Sequence, residues 1–443
     1  MKQKTIKRVV SMMLTMVMLI TLFPTSPIPA SAAVIGGRDT QTVSSIHYYG
    51  RDALSALTNS TALLYAYDQL AAGVETSADS ITVYNGINAI TQAEIKMVMD
   101  VYRRDYAHHF WLGDSYQIYS SATSVVRIKP TYTMTGTDLE TAKTIFEQKV
   151  TNILSGITNA MSEYEKELYL HDKLAGMITY VESTHAHNAY GALVEGKAVC
   201  EGYAEALQYL LQRVGIQSFL ASGASIDPRT GTPVGHEWNY VRIDGKYYHV
   251  DLTWNDQGEN LFHAYFNQTD AVIQEGHMVS TTEYELPVCN STTAQYFTGK
   301  DEYIDNYTVD TVGQLLKDNA LKVHVYIPGS VNDFISWYQA NIVDIGAEAG
   351  ITGGFSYGYA TLGREVILYI LTSEEDKTRL KGDVNGDGKI TIVDVNRANL
   401  HFKNKSILSG DEFLCADVNG DGKITIVDVN RMNLHFKNKN KLW

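Results

Sequence analysis

The chain has 443 residues, of which 44% are hydrophobic and 19% charged, and this length predicts three or four domains. Its formal net charge of −14 argues against nucleic acid or an anionic membrane surface as a partner. The three cysteines, Cys200, Cys289 and Cys415, are too few and too scattered for a small secreted fold held together by disulfides.

The first residues are typical of a secretory signal peptide. Four basic residues precede an apolar run over 9–23, and Ala30, Ser31 and Ala32 provide a cleavage site. That run is shorter than the roughly 18 to 20 residues that cross a bilayer. Cleavage after Ala32 leaves 32 basic and 50 acidic residues, a net charge of about −18. We therefore expect a secreted protein that lacks residues 1–32 and has no membrane span.

Residues 33–160 are predicted to be mostly helical, with two strands in the stretch "YQIYSSATSVVRIKP". A Ser/Thr-x-x-Glu pattern favours a helix start, because the two side chains satisfy each other's backbone N–H groups. This pattern occurs at Thr91 with Glu94, at Thr137 with Glu140, and at Ser162 with Glu165.

The stretch "GKAVCEGYAEALQYLL" predicts a helix that begins near Cys200. Apolar residues recur there at helical spacing, which indicates a face that packs into a core. A thiol at a helix N-terminus lies at the positive end of the helix dipole, which favours the nucleophilic thiolate.

The stretch "GHEWNYVRIDGKYYHVDLTWND" predicts a β-hairpin, because Asp244-Gly245 favours a two-residue turn between apolar strands. If Ile243 pairs with Lys246, His236 and Asp251 become diagonal neighbours on one face of the hairpin. The predicted register therefore places an imidazole beside a carboxylate.

Cys200, His236 and Asp251 together fit a catalytic triad of nucleophile, general base and orienting carboxylate. His249 lies on the same predicted face but opposite Tyr240, and we interpret it as structural. The Cys200 backbone N–H is expected to stabilise the oxyanion, and Asn188 and Tyr190 are the candidates for a second donor.

The segment from about Ser162 to Asp256 resembles the transglutaminase-like superfamily. The resemblance lies in "GKAVCEGYA", "GHEWNYV" and "YHVDLTW", which contain all three triad positions. It implies a papain-like core in which a helix opened by the catalytic cysteine packs on strands that carry histidine and aspartate. Members of the superfamily include protein cross-linking acyltransferases and bacterial proteases and amidases.

Downstream, residues 301–378 alternate helix, strand, helix and two strands, which predicts a small α/β module without recognisable chemistry.

Two nearly identical copies of "DVNGDGKITIVDVNR" follow, 34 residues apart. Each copy has the oxygen-rich, 12-residue spacing of a calcium loop, with glycine at position 6 for the sharp turn. The predicted ligands are Asp383, Asn385, Asp387, Lys389 and Asp394 in the first copy, and Asp417, Asn419, Asp421, Lys423 and Asp428 in the second, with both lysines acting through their backbone carbonyls.

This C-terminal segment resembles the type I dockerin domain. That family implies two bound calcium ions and docking onto a cohesin module of a scaffold or cell-surface protein. Where the family often has a hydroxyl pair that helps to select the cohesin, this chain has Ile392-Val393 and Ile426-Val427.

Together, these segments predict an α+β protein with a transglutaminase-like (papain-like) core, a helical N-terminal region, a small α/β module and an all-α calcium-binding dockerin. The predicted function is a secreted cysteine hydrolase or acyltransferase, more a protease or amidase than a cross-linking enzyme, acting on proteins or peptides. Two alternatives stay open: a non-catalytic binding or scaffold-assembly protein, and a carbohydrate-active component of a cellulosome-like complex. The predicted boundaries are 1–32, 33–160, 161–300, 301–378 and 379–443 for signal peptide, helical region, catalytic domain, α/β module and dockerin.

Overall fold

A computed structural model describes residues 48–438, apart from 85, 123, 227–230, 259, 281, 283, 373–380, 387–388, 404–407, 409 and 420–422. The predicted signal peptide and the predicted ligands Asp387 and Asp421 lie outside the described residues. The chain divides into two compact units, Met1–Tyr296 and Phe297–Trp443.

The first unit mixes helices with mainly antiparallel sheets, so the α+β class is confirmed. Its helices are α1 Tyr49–Ser55, α2 Ser60–Glu75, α3 Gln92–Asp105, α4 Gly136–Leu154, α5 Glu163–Ala175, α6 Cys200–Arg213, α7 Leu252–Asn255 and α8 Asp270–Ile273, with one π-helical turn at Gly191–Glu195. Its strands are β1 Ile81–Thr82, β2 Leu112–Ser120, β3 Val125–Tyr132, β4 Thr179–Tyr180, β5 Lys197–Ala198, β6 Ser218–Ile226, β7 Pro233–Ile243, β8 Lys246–Val250, β9 Asp256–Gln257, β10 Asn260–Leu261 and β11 His277–Val279.

A four-stranded antiparallel sheet with the order β11-β6-β7-β8 forms the framework of this unit. The predicted hairpin register is confirmed, since Ile243 pairs with Lys246 and Asn239 with Val250. Asp244 and Gly245 both have positive φ, at 48° and 81°, as a two-residue turn of this hand requires. Strands β1, β3 and β2 form a second sheet in the N-terminal part of the chain.

Helix α6 packs against β6 and β7 with its apolar face. Tyr203, Leu207, Leu210 and Leu211 on that face are almost fully buried. They belong to one continuous hydrophobic core whose members run from Leu54 to Ala294. The N-terminal helices therefore share their core with the region around Cys200.

Two of the three predicted helix starts have the expected capping box. The side chain of Thr91 begins α3 and that of Ser162 begins α5, each with reciprocal bonds to the glutamate three residues later. The prediction at Thr137 is wrong, because α4 already begins at Gly136, after Thr135, and no side chain caps it. Thr137 thus lies within the first turn, where its hydroxyl does not serve as the cap.

The second unit begins with the α/β module. It contains α9 Val309–Asp318, β12 Lys322–Tyr326, α10 Val331–Glu348, β13 Phe355–Leu362 and β14 Glu365–Thr372, with the antiparallel strand order β12-β14-β13. The apolar faces of both helices and of β14 form a separate core.

The C-terminal segment is helical in its described part. It contains α11 Ile392–Phe402, α12 Gly410–Ala416 and α13 Ile426–Asn438, and Val384, Val395, Val418 and Val429 belong to a small core of its own. Within the described parts of both units, no helix has the length and apolar character needed to cross a membrane.

Candidate active site and calcium loops

Cys200 is the first residue of α6, as the sequence predicts. Its thiol is free and half-buried. Gly202, in the same first turn, allows the preceding loop to lie directly against the helix. A Cβ at this position would meet the Ala186 carbonyl oxygen at 2.5 Å and the Ala198 Cβ at 2.9 Å. A glycine is thus needed for the close packing that holds the start of the helix.

His236 and Asp251 lie together beside this helix. Nε2 of His236 donates to Oδ2 of Asp251 at 2.6 Å, and the two residues are 7% and 0% exposed. Asp251 differs from the sequence prediction in one respect: the β7–β8 ladder ends at Asn239 and Val250, and Asp251 is the N-cap of α7. Its Oδ1 accepts the backbone N–H of Trp254 at 3.0 Å, which orients the carboxylate.

Cys200 completes the cluster, because its side chain lies close enough to the His236 imidazole to influence its ionisation. Because Nε2 is occupied by Asp251, Nδ1 is the ring nitrogen left to the thiol. Burial lowers the pKa of His236, but the charge and hydrogen bond of Asp251 and the contact with Cys200 outweigh it and raise that pKa to about 10. Burial likewise opposes ionisation of Asp251, yet His236 and His277 hold the pKa of this carboxyl well below its ordinary value. The arrangement thus favours an imidazolium between a carboxylate and a thiol.

Two tryptophans from the quoted motifs border the imidazole. The Trp238 ring is stacked on that of His236 at 5.9 Å between centroids, and the Trp254 ring lies tilted at 6.1 Å. Nε1 of Trp238 donates to Nδ1 of His249 at 3.0 Å, and Nε2 of His249 donates to Asp270 at 2.9 Å. His249 is therefore a buried link between Trp238 and Asp270, which agrees with the structural role we assign to it.

Two neighbours of the cluster were missed by sequence reasoning. His277, on the edge strand β11, donates from Nε2 to Oδ2 of Asp251 at 2.8 Å. Tyr180, on β4, lies near the thiol. Its side chain is 58% exposed, but partial desolvation together with the charge of Cys200 raises its pKa to about 12. Neither residue belongs to a recognisable local motif. The pairing of β4 with β5, directly before Cys200, is the structural feature that brings Tyr180 to the site.

The polar loop before the cysteine binds its own side chains in pairs. Nδ1 of His185 contacts Glu195 at 2.6 Å, and Nδ1 of His187 contacts Glu201 at 3.0 Å. The hydrogen bond with Glu201 is the main reason that the pKa of His187 is raised to about 9. Oδ1 of Asn188 accepts the N–H groups of Tyr190 and Gly191, both at 3.1 Å. The side-chain oxygen of Asn188 thus stabilises the turn of this loop.

Three clusters of the described residues have histidine, carboxylate or thiol atoms close enough to consider a metal: His171, Asp172 and His263; His236, Asp251 and His277; and His249, Asp270 and Cys289. In the first, Asn255 donates to Nε2 of His171, so Nδ1 carries the proton that bonds to Asp172. In the third cluster, Nε1 of Trp238 donates to Nδ1 of His249, so Nε2 of His249 carries the proton that bonds to Asp270. In these tautomers the ring nitrogen that faces the carboxylate carries the proton, so hydrogen bonding accounts for the positions of His171 and His249.

The described residues of the two predicted calcium loops have matching geometry. The position-12 carboxylates, Asp394 and Asp428, reach back to the backbone N–H of Asn385 at 3.0 Å and of Asn419 at 3.3 Å. Asp383 and Asp417, at position 1, are also buried. Lys389 and Lys423 are exposed, as expected for residues that contribute only a backbone carbonyl. Buried carboxylates at both ends of a short loop fit a hard divalent cation such as calcium.

Comparisons with known protein families identify two regions of the chain. Residues 151–252 match the sequence profile of the transglutaminase-like superfamily, and residues 381–436 match that of the type I dockerin domain. Dockerins of this type typically bind calcium and pair with cohesins. No curated protein matches the chain.

Three solved structures are similar to parts of the chain. A TGase shares 13% identity over 34% of this chain and 47% of its own, with a TM-score of 0.23. A candidate cysteine protease from Cytophaga hutchinsonii shares 14% identity over 35% of this chain and 55% of its own, with a TM-score of 0.23. A candidate protease from Parabacteroides distasonis shares 11% identity over 57% of this chain and 55% of its own, with a TM-score of 0.19.

This chain spans about half the length of each of these structures. The regions recognised by sequence are those that contain Cys200 and the calcium loops. The chain thus contains a transglutaminase-like domain at residues 151–252 and a type I dockerin domain at residues 381–436.

Proposed function

We propose that this protein is a secreted thiol enzyme that cleaves or transfers acyl groups of proteins or peptides, with hydrolysis as the main reaction. The observation that carries this proposal is the contact of Cys200, His236 and Asp251, which come from three different elements. A helix N-terminus supplies the thiol, a strand the imidazole, and a helix N-cap the carboxylate. Such an arrangement supports nucleophilic catalysis at a carbonyl carbon.

In the first half of the reaction, Cys200 has given its thiol proton to His236, and the Sγ thiolate attacks the carbonyl carbon of a carboxamide or peptide bond. The oxyanion accepts hydrogen bonds from the backbone N–H of Cys200, which is one of the first N–H groups of a helix and has no partner within it. The His236 imidazolium then protonates the leaving amine, and a thioester remains on Cys200. Asp251 keeps the imidazole ring oriented throughout.

In the second half, water attacks the thioester and gives a proton to His236, which releases the acid and restores the starting state. An amine in place of water would give acyl transfer. The two outcomes are separated by their products, a free carboxylate or a new amide.

The test is site-resolved alkylation of the secreted protein by iodoacetamide at mildly acidic pH, followed by mass spectrometry. We expect fast labelling at Cys200 that is abolished by Cys200→Ala and slowed by His236→Ala. Cys289 and Cys415 are buried and serve as internal controls. Active preparations are then incubated with peptide and protein substrates, with and without an added amine, to distinguish hydrolysis from transfer.

If Cys200 is labelled no faster than an ordinary thiol, the triad is not functional. That result would favour a binding or scaffold-assembly protein. Release of sugars from polysaccharide by both the wild-type protein and Cys200→Ala would instead favour the carbohydrate-active alternative.

We also propose that the dockerin domain binds two calcium ions and anchors the enzyme to a cohesin-bearing partner in a cellulosome-like assembly. Ile392-Val393 and Ile426-Val427, at the first turns of α11 and α13, are 44–50% exposed. Exposed apolar pairs that repeat on equivalent turns suit a protein interface.

The anchoring proposal is tested by calcium-dependent binding to immobilised cohesins. We expect chelation to abolish binding, and Ile392→Asp with Ile426→Asp to weaken it without loss of bound calcium. Val343→Asp is a matched control, because Val343 is exposed on α10, outside the dockerin domain. Unchanged cohesin binding by the double variant would exclude these pairs from the interface.

A further inference from the structure

His277 shares the triad carboxylate with His236. We propose that His277 is a positioning residue, which holds Asp251 so that His236 stays protonated and aligned with Cys200. This inference rests on the proposed function, because it assigns a supporting role within the same site.

The hydrogen bonds around Asp251 involve both of its carboxylate oxygens. Oδ2 accepts from Nε2 of His236 at 2.6 Å and from Nε2 of His277 at 2.8 Å, and Oδ1 accepts the N–H of Trp254 at 3.0 Å. Three donors from three parts of the chain therefore fix the plane of one fully buried carboxylate. If His277 did not donate, the carboxylate would lose one of the two bonds that hold Oδ2.

The protonation of His277 follows from its surroundings. An ionised carboxylate only accepts hydrogen bonds, so Nε2 of His277 must carry a proton. Its Nδ1 is buried and has no hydrogen-bond partner within the described residues. A proton there would add a second buried positive charge beside the His236 imidazolium, which is unfavourable. His277 therefore acts on Asp251 through its Nε2–H.

The fold holds this imidazole in place from several sides. Its ring lies 4.7 Å from that of Trp254, 5.0 Å from Trp238 and 5.3 Å from Tyr265, measured between centroids. Strand β11 can approach β6 this closely only because residue 223 is glycine. A Cβ on Gly223 would lie 2.0 Å from the Met278 carbonyl oxygen. The position of His277 is thus built into the sheet.

Among the residues that the structure describes, the titratable groups that face His277 are His236 from β7, His249 from β8, Asp251 at the N-cap of α7, and Tyr265. Of these groups, Asp251 accepts the Nε2–H of His277. Removal of the His277 donor therefore acts directly on the triad.

The experiment compares alkylation of Cys200 by iodoacetamide at about pH 6 and about pH 9, since an ordinary thiol reacts well only at the higher pH. His277→Phe keeps an aromatic ring but removes the donor, and His277→Gln keeps an N–H donor. His109→Phe is the matched control, because His109 is also a buried imidazole that bonds to a carboxylate, Glu75 at 3.0 Å, but lies far from the site in sequence.

We expect His277→Phe to lower the rate at pH 6 by roughly tenfold or more, the worth of a hydrogen bond to a charged group, with little change at pH 9. His277→Gln should restore most of the pH 6 rate. His109→Phe should change neither rate, even if it lowers the thermal midpoint. His277→Leu, with a smaller side chain, replaces His277→Phe if that variant does not fold.

Equal pH 6 rates in the wild-type protein and the donor-free variant would overturn the positioning role. Equal losses at both pH values, or no recovery with His277→Gln, would also overturn it, because they indicate a purely structural effect. Failure of the proposed function gives a different result: the wild-type protein itself then reacts as an ordinary thiol at pH 6.

Discussion

The triad and the calcium loops both contain buried carboxylates, but the groups around those carboxylates differ. Asp251 has a cationic partner within the protein, the imidazolium of His236 at 2.6 Å. Asp383 and Asp394, at the two ends of one loop, accept backbone N–H groups from Gly386 and Asn385, which carry no charge. The Asp251 carboxylate thus has a cationic partner within the described residues, whereas we propose that a bound calcium ion supplies the positive charge in each loop.

The two regions also differ in how far apart their parts lie in the sequence. The ligands of each calcium loop fall within 12 consecutive residues. The triad requires the start of α6, the strand β7 and the N-cap of α7 to be brought together by one core. A change in the core is therefore expected to disturb the proposed triad, whereas the proposed calcium loops depend mainly on local sequence.

The largest effect is expected from Asp251→Asn. An amide in this position can hold His236 in the wrong tautomer, and the equivalent change in a serine-type triad costs about 10⁴-fold in turnover. We expect a loss of similar size in kcat/KM with the peptide substrate identified by screening. Asp270→Asn is the control, because Asp270 bonds to the buried His249 at 2.9 Å without touching the triad. Comparable losses of kcat/KM in the two variants would show that Asp251 matters no more for turnover than a structural carboxylate does.

Removal of calcium should affect the calcium loops but not the triad. We expect calorimetry to give about two ions per chain, and Asp394→Asn or Asp428→Asn to reduce this to about one, since each carboxylate completes one loop. Chelation should expose the C-terminal segment to protease but leave the alkylation rate of Cys200 unchanged. Loss of Cys200 reactivity on chelation would show that the two regions are not independent.

The stability contributed by the His236–Asp251 pair should depend on pH. Folding raises the pKa of His236 from 6.5 to about 10, so the contribution is complete below about pH 6.5 and is lost as the pH rises through 10. The pKa of Asp251 is lowered, so its contribution is present above pH 3.8 and declines as the pH falls further.

This dependence is measured by comparing the wild-type protein with His236→Gln in thermal or denaturant unfolding. Near pH 6, removal of one partner of a buried ion pair should cost about 3–5 kcal/mol. Near pH 10 the difference should be much smaller. A difference that stays constant from pH 6 to pH 10 would show that packing, and not the charge of the pair, accounts for the loss.

The sequence predicted local features well. The Asp244-Gly245 turn and the pairing of Ile243 with Lys246 follow from a short pattern, and both are confirmed. The strand position of Asp251 was wrong, because its carboxylate caps α7 and the ladder ends one residue earlier. His277 could not be predicted, since it lies on a three-residue edge strand 26 residues after Asp251, and only the pairing of β11 with β6 brings it to the site.

The smallest expected effect compares two threonines that share a sequence pattern but differ in their role in the structure. Thr91 and Thr137 both begin a Thr-x-x-Glu pattern, but only Thr91 accepts the N–H of its glutamate, Glu94, at 3.2 Å. We expect Thr91→Ala to cost about 1 kcal/mol, the usual worth of a helix N-cap. Thr137→Ala should be neutral or slightly stabilising, because residue 137 lies inside α4 and alanine favours helix.

Unfolding in denaturant resolves this difference. Because the two substitutions are chemically identical and both lie in the first unit, any difference between them comes from the backbone around each threonine. Equal losses would mean that the hydroxyl at Thr137 caps the helix after all, and that α4 begins where the sequence pattern places it.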